Sequence, residues 1–537
     1  MASVGDVMHR LLPRGTWAAE GVSDWSTVPW WPPDVFAVAA TLARLSDCHA
    51  HPAVRGGDGL GDHVETSARF GKQWAEFSAS RELTRALQKH WDVLRSASAA
   101  PVMLDVGKPL PAWARAALSL LAIADEASAG VGFRGSSAVA VQAEQVALDR
   151  RLTTLTIAVD PSEACVQPKA RTPAVGCNLR SVSHHLALLP PWSQVDTRHW
   201  SMPRLFSGTQ LGLLLVPFPY VVGANDFGGR LVKRHTWGRL RVNPSWLNRA
   251  KPAAFAGFVR GLIDAASSRG RETDIVLVPE AALSPRHFDA LAVVLERLKR
   301  PLLLVAGVGA PAGGVVRNFV RVAALGMGRA LGWEQDKHHR WKVEKWQIQN
   351  YGLGLDPGAS WWEDLDVSRR RVVITQFHQR ASIAALICED LARVEPVQPV
   401  VRELGPNLVL ALLMDGPQRA GRWPGQYAGV LAEDPGSSVL SATSLGLVRR
   451  YREFREKGRG DSHAIVGLWK DRTGQAQELG LGPAQHALHL SLKLSSRTEF
   501  TLDGRADAGA ARVVTLKSVE QVQHANPPEW AQPFYSA

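Results

Sequence analysis

The sequence predicts an α/β protein carrying a mainly helical N-terminal extension, and three observations predict it. Apolar residues recur three and four apart through residues 1 to about 150. Short apolar runs alternate with amphipathic segments from about 185 onward, and a stretch rich in Pro, Ser and Thr lies between the two. At 537 residues, 45% hydrophobic and 21% charged, the chain can offset its ordering entropy by burial, without disulfide or metal staples. Its 47 Gly and 33 Pro follow no period of tens of residues, which excludes collagen-like, solenoid and disordered chains.

Within the extension, DVFAVAATLARL, RELTRALQKHWDVL and AWARAALSLLAIADEA have helical spacing. Pro32, Pro33 and Asp34 before the first and Pro111 before the third are helix-start signals. Residues 1–180 carry no recognisable chemistry. The segments DPSEACVQPKARTPAVG and LLPPWSQVDTRHWSMP read as a linker leading into a second domain. There LGLLLVPFPYVV, DIVLVPE, PLLLVAGV, FVRVAAL, VVITQF, SIAALICED, NLVLALLMDG, SSVLSATS, AIVGLWKD and HALHLSLKL give strands almost to the end. AFAGFVRGLIDAASSRG and HFDALAVVLERLK supply helices between them, so residues 181–525 read as one α/β domain.

The longest apolar stretches, Ala112–Ala124 and Leu211–Val222, are broken by Arg115 and by Pro217 and Pro219 and fall short of the roughly 18–20 residues of a membrane span. They read as a buried helix and a buried strand, and no membrane partner is expected. The opening MASVGDVMHRLLPRGTW lacks a basic segment followed by an apolar one, which points to the cytoplasm. Cys48, Cys165, Cys177 and Cys388 are too sparse for a disulfide framework and form no CxxC pair, so reduced thiols are expected. Residues 1–180 hold 18 Lys/Arg and 18 Asp/Glu against 44 and 32 in the rest, so the whole +12 charge belongs to the second part. It is spread out and mixed with acids. The run from Arg449 to Lys457, which contains Glu453 and Glu456, reads as a solvated helix face.

Three segments of the second part each present a reactive side chain: Glu280 after DIVLVP, Lys337 after GWEQD and Cys388 after SIAALI. Side chains that follow buried strands gather at a sheet's rim, where α/β folds place ligands, so the three can converge across separations of 57 and 51 residues. The residue types suit one chemistry. Amide and nitrile carbons are poor electrophiles, and sulfur is both a strong nucleophile and a competent leaving group, so Cys388 suits a thioester route. Glu280 suits the base that takes the thiol proton and returns it to the departing amine. Lys337, with a backbone N–H after the cysteine, suits stabilisation of the oxyanion. Glu344, about two helical turns after Lys337 if this segment is helical, is placed to hold the ammonium. No metal or organic cofactor is required.

The segments LVPEAALSP, KHHRWKVE and LICEDLARVEP, in this order, resemble the three signature segments of the nitrilase, or carbon–nitrogen hydrolase, superfamily. The resemblance covers roughly 200–500 of the chain. It implies Glu280, Lys337 and Cys388 as the triad, Glu344 as the supporting acid, and Glu389 and Asp390 as the acids after the cysteine. Asn318 in VVRNFVRVAALG falls in that family's Asn-containing hairpin, and PVVRELGPNLVLALLMDGP on its helix and strand after the cysteine. The resemblance further implies a nitrilase-like α-β-β-α sandwich and hydrolysis of a non-peptide carbon–nitrogen bond in a small amide or nitrile. It also implies a homodimer or larger homo-oligomer. There are departures: no Pro follows Lys337 closely, Lys342 and Lys345 compete with it by proximity, and an insertion-like GLGLDPGASWWEDLDVSRRR separates it from Cys388. A similar branch is formed by nitrilase-like domains joined to bacterial defence reverse transcriptases, although this chain has no YxDD-type motif. That branch implies an alternative, a catalytically silent or specialised binding and assembly module in antiphage defence whose basic part meets nucleic acid.

Other signals read as ordinary structure. GVGAPAGG at 307–314 matches GxGxxG only in part and is followed by no helix-forming run, so it reads as a hairpin turn. His184-His185 and His338-His339 lack partners at metal spacing and read as packed or exposed histidines. Arg459-Gly460-Asp461, before Ser462, is a chance adhesion tripeptide, and Trp341, Trp346, Trp361 and Trp362 read as core or interface.

Overall fold

Two seven-stranded sheets lie face to face in the second part of the chain, which a computed structural model describes over residues 2–13, 25–51, 60–105, 107–133, 135–189, 196–232, 236–312, 314–326, 331–378, 380–451 and 464–532. The first sheet runs, edge to edge, Leu331–Asp336, Val315–Leu325, Leu302–Ala312, Ile275–Leu283, Gln210–Leu215, Ala487–Arg497 and Ala511–Val522. The second runs Ala476–Leu481, Ala464–Lys470, Ser438–Ala442, Leu408–Leu412, Ala381–Ile387, Arg371–His378 and Asp196–Phe206.

Alternation along a strand explains the layers. In NLVLAL, Leu408, Leu410 and Leu412 enter the core between the sheets, whereas Val409 and Ala411 enter the core under helices Val397–Leu404 and Trp423–Glu433. A strand buried on both faces must be apolar throughout, which is why it reads as a continuous run. Helices Pro252–Ser267 and Pro285–Glu296 cover the other sheet through Phe255, Val259, Leu262, Phe288 and Leu291. The result is helix, sheet, sheet, helix: the α/β class that the apolar pattern predicts and the α-β-β-α sandwich that the resemblance implies. GVGAPAGG ends the strand Leu302–Ala312, which pairs antiparallel with Val315–Leu325 as the expected hairpin.

The extension folds around a separate core that runs from Val4 to Leu188. Its three expected helices are Pro32–Ser46, Arg81–Ser96 and Ala112–Ala127. Pro32–Ser46 and Ala112–Ala127 are buried over most of their surface, consistent with their lack of a polar face. Arg81–Ser96 begins at a Ser80 cap and buries Leu83, Leu87, Trp91 and Leu94 along one stripe. Among the described residues no helix is long and apolar enough to cross a membrane.

The described parts of the stretch read as a linker form a structured joint. Cys165–Pro168 pairs antiparallel with Leu186–Leu189, whose Leu186 and Leu188 face the extension's core while Ala187 and Leu189 face the core under the second sheet. Asp196–Phe206 then adds to the second sheet, parallel to Arg371–His378. Tertiary pairing overrides the local Pro and Ser signals here. A buried ion cluster adds to the joint: Arg505 donates to Asp125 at 3.1 Å and Glu126 at 2.7 Å, both on Ala112–Ala127, and to Asp503. Arg459-Gly460-Asp461-Ser462 and the basic run beyond Tyr451 lie outside the described residues.

A smaller sheet of four strands, in the order Lys342–Val343, Ser360–Glu363, Trp237–Val242, Phe227–Leu231, stands beside the sandwich. The insertion-like stretch contributes its Ser360–Glu363 strand.

Candidate active site

Glu280 lies where the strand Ile275–Leu283 breaks register with its parallel neighbour Leu302–Ala312, between Val278 and Leu283. The bulge has two local causes. Ala281 takes a left-handed φ of 48°, and Gly307 leaves room for the displaced backbone: a Cβ there would stand 2.4 Å from Glu280 Cα and 2.4 Å from the Pro279 carbonyl oxygen. Cys388 ends the Ala381–Ile387 strand and begins a single 3-10 turn, with a φ of 47°. A non-glycine residue in this region costs about 1–2 kcal/mol, and such strain is kept where the surroundings enforce it, often at functional sites. Lys337 follows the edge strand Leu331–Asp336, and its N–H donates to the Asn318 carbonyl at 2.8 Å.

These elements bring Glu280 and Lys337 into one buried cluster, with Cys388 in electrostatic range of both. Lys337 Nζ donates to Glu280 Oε1 at 2.8 Å and to Glu363 Oε2 at 2.7 Å. Asn318 Nδ2 donates to Glu280 Oε1 at 2.7 Å and to Glu363 Oε1 at 3.3 Å, and the Trp341 N–H donates to Glu363 Oε2 at 3.0 Å. Glu280, Lys337 and Cys388 are each no more than 3% exposed. Glu280 Oε2 is buried and accepts no hydrogen bond among the described residues.

The electrostatics follow from this crowding. Burial raises the Glu280 carboxyl above its usual range and Glu363 adds to the effect, while Lys337 opposes it. Burial works against the Lys337 charge, but Glu280 and Glu363 overcome it and hold the ammonium well above the ordinary lysine range. Burial pushes the Cys388 thiol well up, with Glu280 adding to the rise and Lys337 opposing it. The resting pattern is a neutral thiol within the electrostatic reach of an ammonium that two acids share.

The geometry also sorts the supporting residues. Lys337, not its neighbours, occupies the cluster: Lys342 is 41% exposed and pairs at 2.6 Å with Glu344, and Lys345 is exposed. Glu344 therefore does not hold Lys337. It pairs outward from the N-cap of Lys345–Tyr351, and Glu363, from the insertion-like stretch, takes the place expected for it. Asp390 is buried and accepts the His338 and His339 N–H groups, tying the Lys segment to the Cys segment, whereas Glu389 turns to Arg393. Burial raises Asp390 well above the usual carboxylate range despite these donors.

Glu363 and Asp415 are the residues sequence reasoning missed. Asp415 follows the strand parallel to the Cys388 strand and acts electrostatically on the thiol. Its Oδ1 accepts from the Tyr351 hydroxyl and, at 2.9 Å, from Arg422, and its Oδ2 is buried without a hydrogen bond among the described residues. The histidine pairs are packed, as expected: His184 bonds the Thr172 hydroxyl and the Arg505 carbonyl oxygen, and His338 the Arg371 carbonyl oxygen. Among the described residues no group of three His, Cys, Asp or Glu side chains is placed to hold a metal ion. Trp341 and Trp361 are buried, whereas Trp346 and Trp362 are 52% and 41% exposed.

No protein-family model matches the chain, and no curated protein matches it. Among solved structures it is similar to Saccharomyces cerevisiae Nit3, a member of branch 10 of the nitrilase superfamily, at 13% identity and a TM-score of 0.33, over 53% of this chain and 90% of that one. It is also similar to XC1258 from Xanthomonas campestris, a CN-hydrolase superfamily protein with an arsenic adduct in its active site. That match has 16% identity and a TM-score of 0.31, over 52% of this chain and 90% of that one. A third likeness is to a glutamine-dependent NAD(+) synthetase from Cytophaga hutchinsonii, at 11% identity and a TM-score of 0.28, over 53% of this chain and 43% of that one.

Proposed function

We propose that the cluster hydrolyses a non-peptide carbon–nitrogen bond, in a small amide or nitrile, through a thioester on Cys388. The observation that carries this reading is the Lys337 ammonium, clamped between Glu280 and Glu363 in electrostatic range of a strained, buried thiol. The substrate considered is an amide. Glu280 Oε2, which accepts no hydrogen bond among the described residues, takes the Sγ proton as sulfur attacks the carbonyl carbon. The Lys337 ammonium faces the negative charge that develops on the carbonyl oxygen. Glu280 returns the proton to the nitrogen as the carbon–nitrogen bond breaks, and the amine leaves a thioester behind. Water, losing its proton to Glu280, then releases the acid and the thiol is restored. Glu363 does not touch the reacting atoms in this scheme; it keeps Lys337 charged and in place.

The test is a panel of small amides and nitriles, with acyl-enzyme trapped on the intact protein by mass spectrometry. A responsive substrate hydrolysed by wild type and not by Cys388→Ala, with trapped acyl mass on Cys388, is the expected result. Equal turnover by Cys388→Ala overturns the proposal. Added hydroxylamine distinguishes the outcomes downstream of the thioester: hydroxamate formed in preference to acid would make acyl transfer the main reaction.

A further inference from the structure

The outer face of the four-stranded sheet has no part in that chemistry. Along its strands Gly238, Leu240, Trp361 and Val343 turn inward, and the Trp361 ring packs on the backbones of Gly229 and Gly238. The alternate residues Trp237, Arg239, Arg241, Trp362 and Lys342 turn outward and are exposed. Trp237 and Trp362 are 37% and 41% exposed, on adjacent parallel strands, and Lys342 Nζ stands 5.7 Å from the centre of the Trp362 ring.

Arg230, Arg239 and Arg241 line a cleft of about 580 Å³ on this face, together with Asn243 and Asp364. Asp364 is the cleft's one carboxylate among the described residues, and it is already shared by Arg239 at 3.2 Å and Arg241 at 2.7 Å. Arg230 stands directly opposite Arg239 across the antiparallel pair, and it has no ion pair among the described residues. Like charges opposed across two strands destabilise a sheet, so folding alone gives no reason for this placement. An anion laid on the face gives one.

We propose that this face binds single-stranded nucleic acid, with phosphates along Arg230, Arg239 and Arg241 and unpaired bases stacked on Trp237 and Trp362. Exposed indole rings on a sheet offer base-stacking surfaces that are independent of sequence, and the arginines track the backbone. A duplex hides its base faces and would leave the tryptophans idle. A second copy of the chain would bring the same positive face against itself. The strand that presents Trp362 outward carries Glu363 inward to Lys337, so the bound strand would lie one layer from the acid cluster.

The experiment measures anisotropy of fluorescent oligothymidylate, oligouridylate and a duplex of about 20 nucleotides, in about 50 to 200 mM KCl, with Cys388→Ala protein alongside wild type. Single strands should bind with quenching of tryptophan emission and a slope of log K on log salt of about −2 for three phosphate contacts. Trp237→Ala and Trp362→Ala should each weaken binding about five-fold or more, and Arg230→Ala should lower the slope by about 0.7. Cys388→Ala should bind as wild type does, so failure here is separable from failure of the hydrolase reading. Should a tryptophan variant not fold, as judged by circular dichroism and melting, the exposed Arg230 carries the test alone. The proposal is overturned by absence of binding at the lowest salt, by duplex bound as tightly as single strands, or by variants that bind like wild type. Self-association that the same variants abolish would also overturn it.

Discussion

Replacing Glu363 by Gln removes one charge from the buried cluster while keeping an oxygen that accepts from Lys337 and from the Trp341 N–H. The contacts of 2.8 and 2.7 Å to Lys337 place the Glu280 and Glu363 oxygens no farther apart than their combined length, about 5.5 Å. At an effective dielectric of about 20, the Glu363–Lys337 attraction is about 6 kcal/mol and the Glu363–Glu280 repulsion about 3. The net loss is therefore about 3 kcal/mol, in line with the roughly 3–5 kcal/mol for breaking a buried pair. Urea denaturation followed by tryptophan emission measures it. Glu344→Gln is the control, since its partner Lys342 and it are 41% and 47% exposed; an exposed pair of this kind is worth about 0.2–1 kcal/mol. In a substrate assay Glu363→Gln should also move the acid limb of kcat/KM to lower pH. The limb reports Glu280, whose carboxyl Glu363 helps to raise, and activity is lost as pH falls through that raised value. Equal stability and equal pH profiles for the two variants would refute the assignment of Glu363.

Three further outcomes are expected. Gly307→Ala, whose Cβ would meet backbone atoms of Pro279 and Glu280 at 2.4 Å, should cost about 1–3 kcal/mol by overpacking and reduce turnover through displacement of Glu280, measured by denaturation and kcat. Burial depresses His199 and His338 to about 4. Their neutral forms favour the fold above the unfolded value near 6.5, and stability is lost as pH falls from there toward 4, by about 2 kcal/mol for each at pH 5; denaturation midpoints at pH 7.5 and 5 test this, and a flat profile contradicts it. Arg505→Gln leaves the buried Asp125 and Asp503 without their cation, and should cost about 3–5 kcal/mol and speed proteolysis between the two parts of the chain.

The strands of the sandwich were legible because they are buried on both sides, which writes burial into the sequence as unbroken apolar runs such as SIAALI and NLVLAL. Glu280, Lys337 and Cys388 were legible because the segments around them, LVPEAALSP, KHHRWKVE and LICEDLARVEP, resemble three family signatures in order. Asp390 was legible by its place after the cysteine, though its work is to hold the His338 and His339 backbone and not to touch Lys337. The joint near residue 180 was not legible, because the partners of Cys165–Pro168 and Asp196–Phe206 lie elsewhere in the chain and no local pattern encodes them.

Glu363 shows where spacing misleads. Glu344 lies close to Lys337 in sequence, but a turn and a strand intervene, and the chain at Lys342–Val343 runs as a strand that leaves Glu344 outside. The acid that reaches Lys337 comes from a strand held against Trp237–Val242, far earlier in the chain. A signal for it did exist: in SWWED the strand period sets Trp361 and Glu363 on one face and Trp362 on the other. A glutamate on the same face as a buried tryptophan needs a cation, and Lys337 is the buried lysine at hand. Charge balance in the interior thus locates the second acid where distance along the sequence does not.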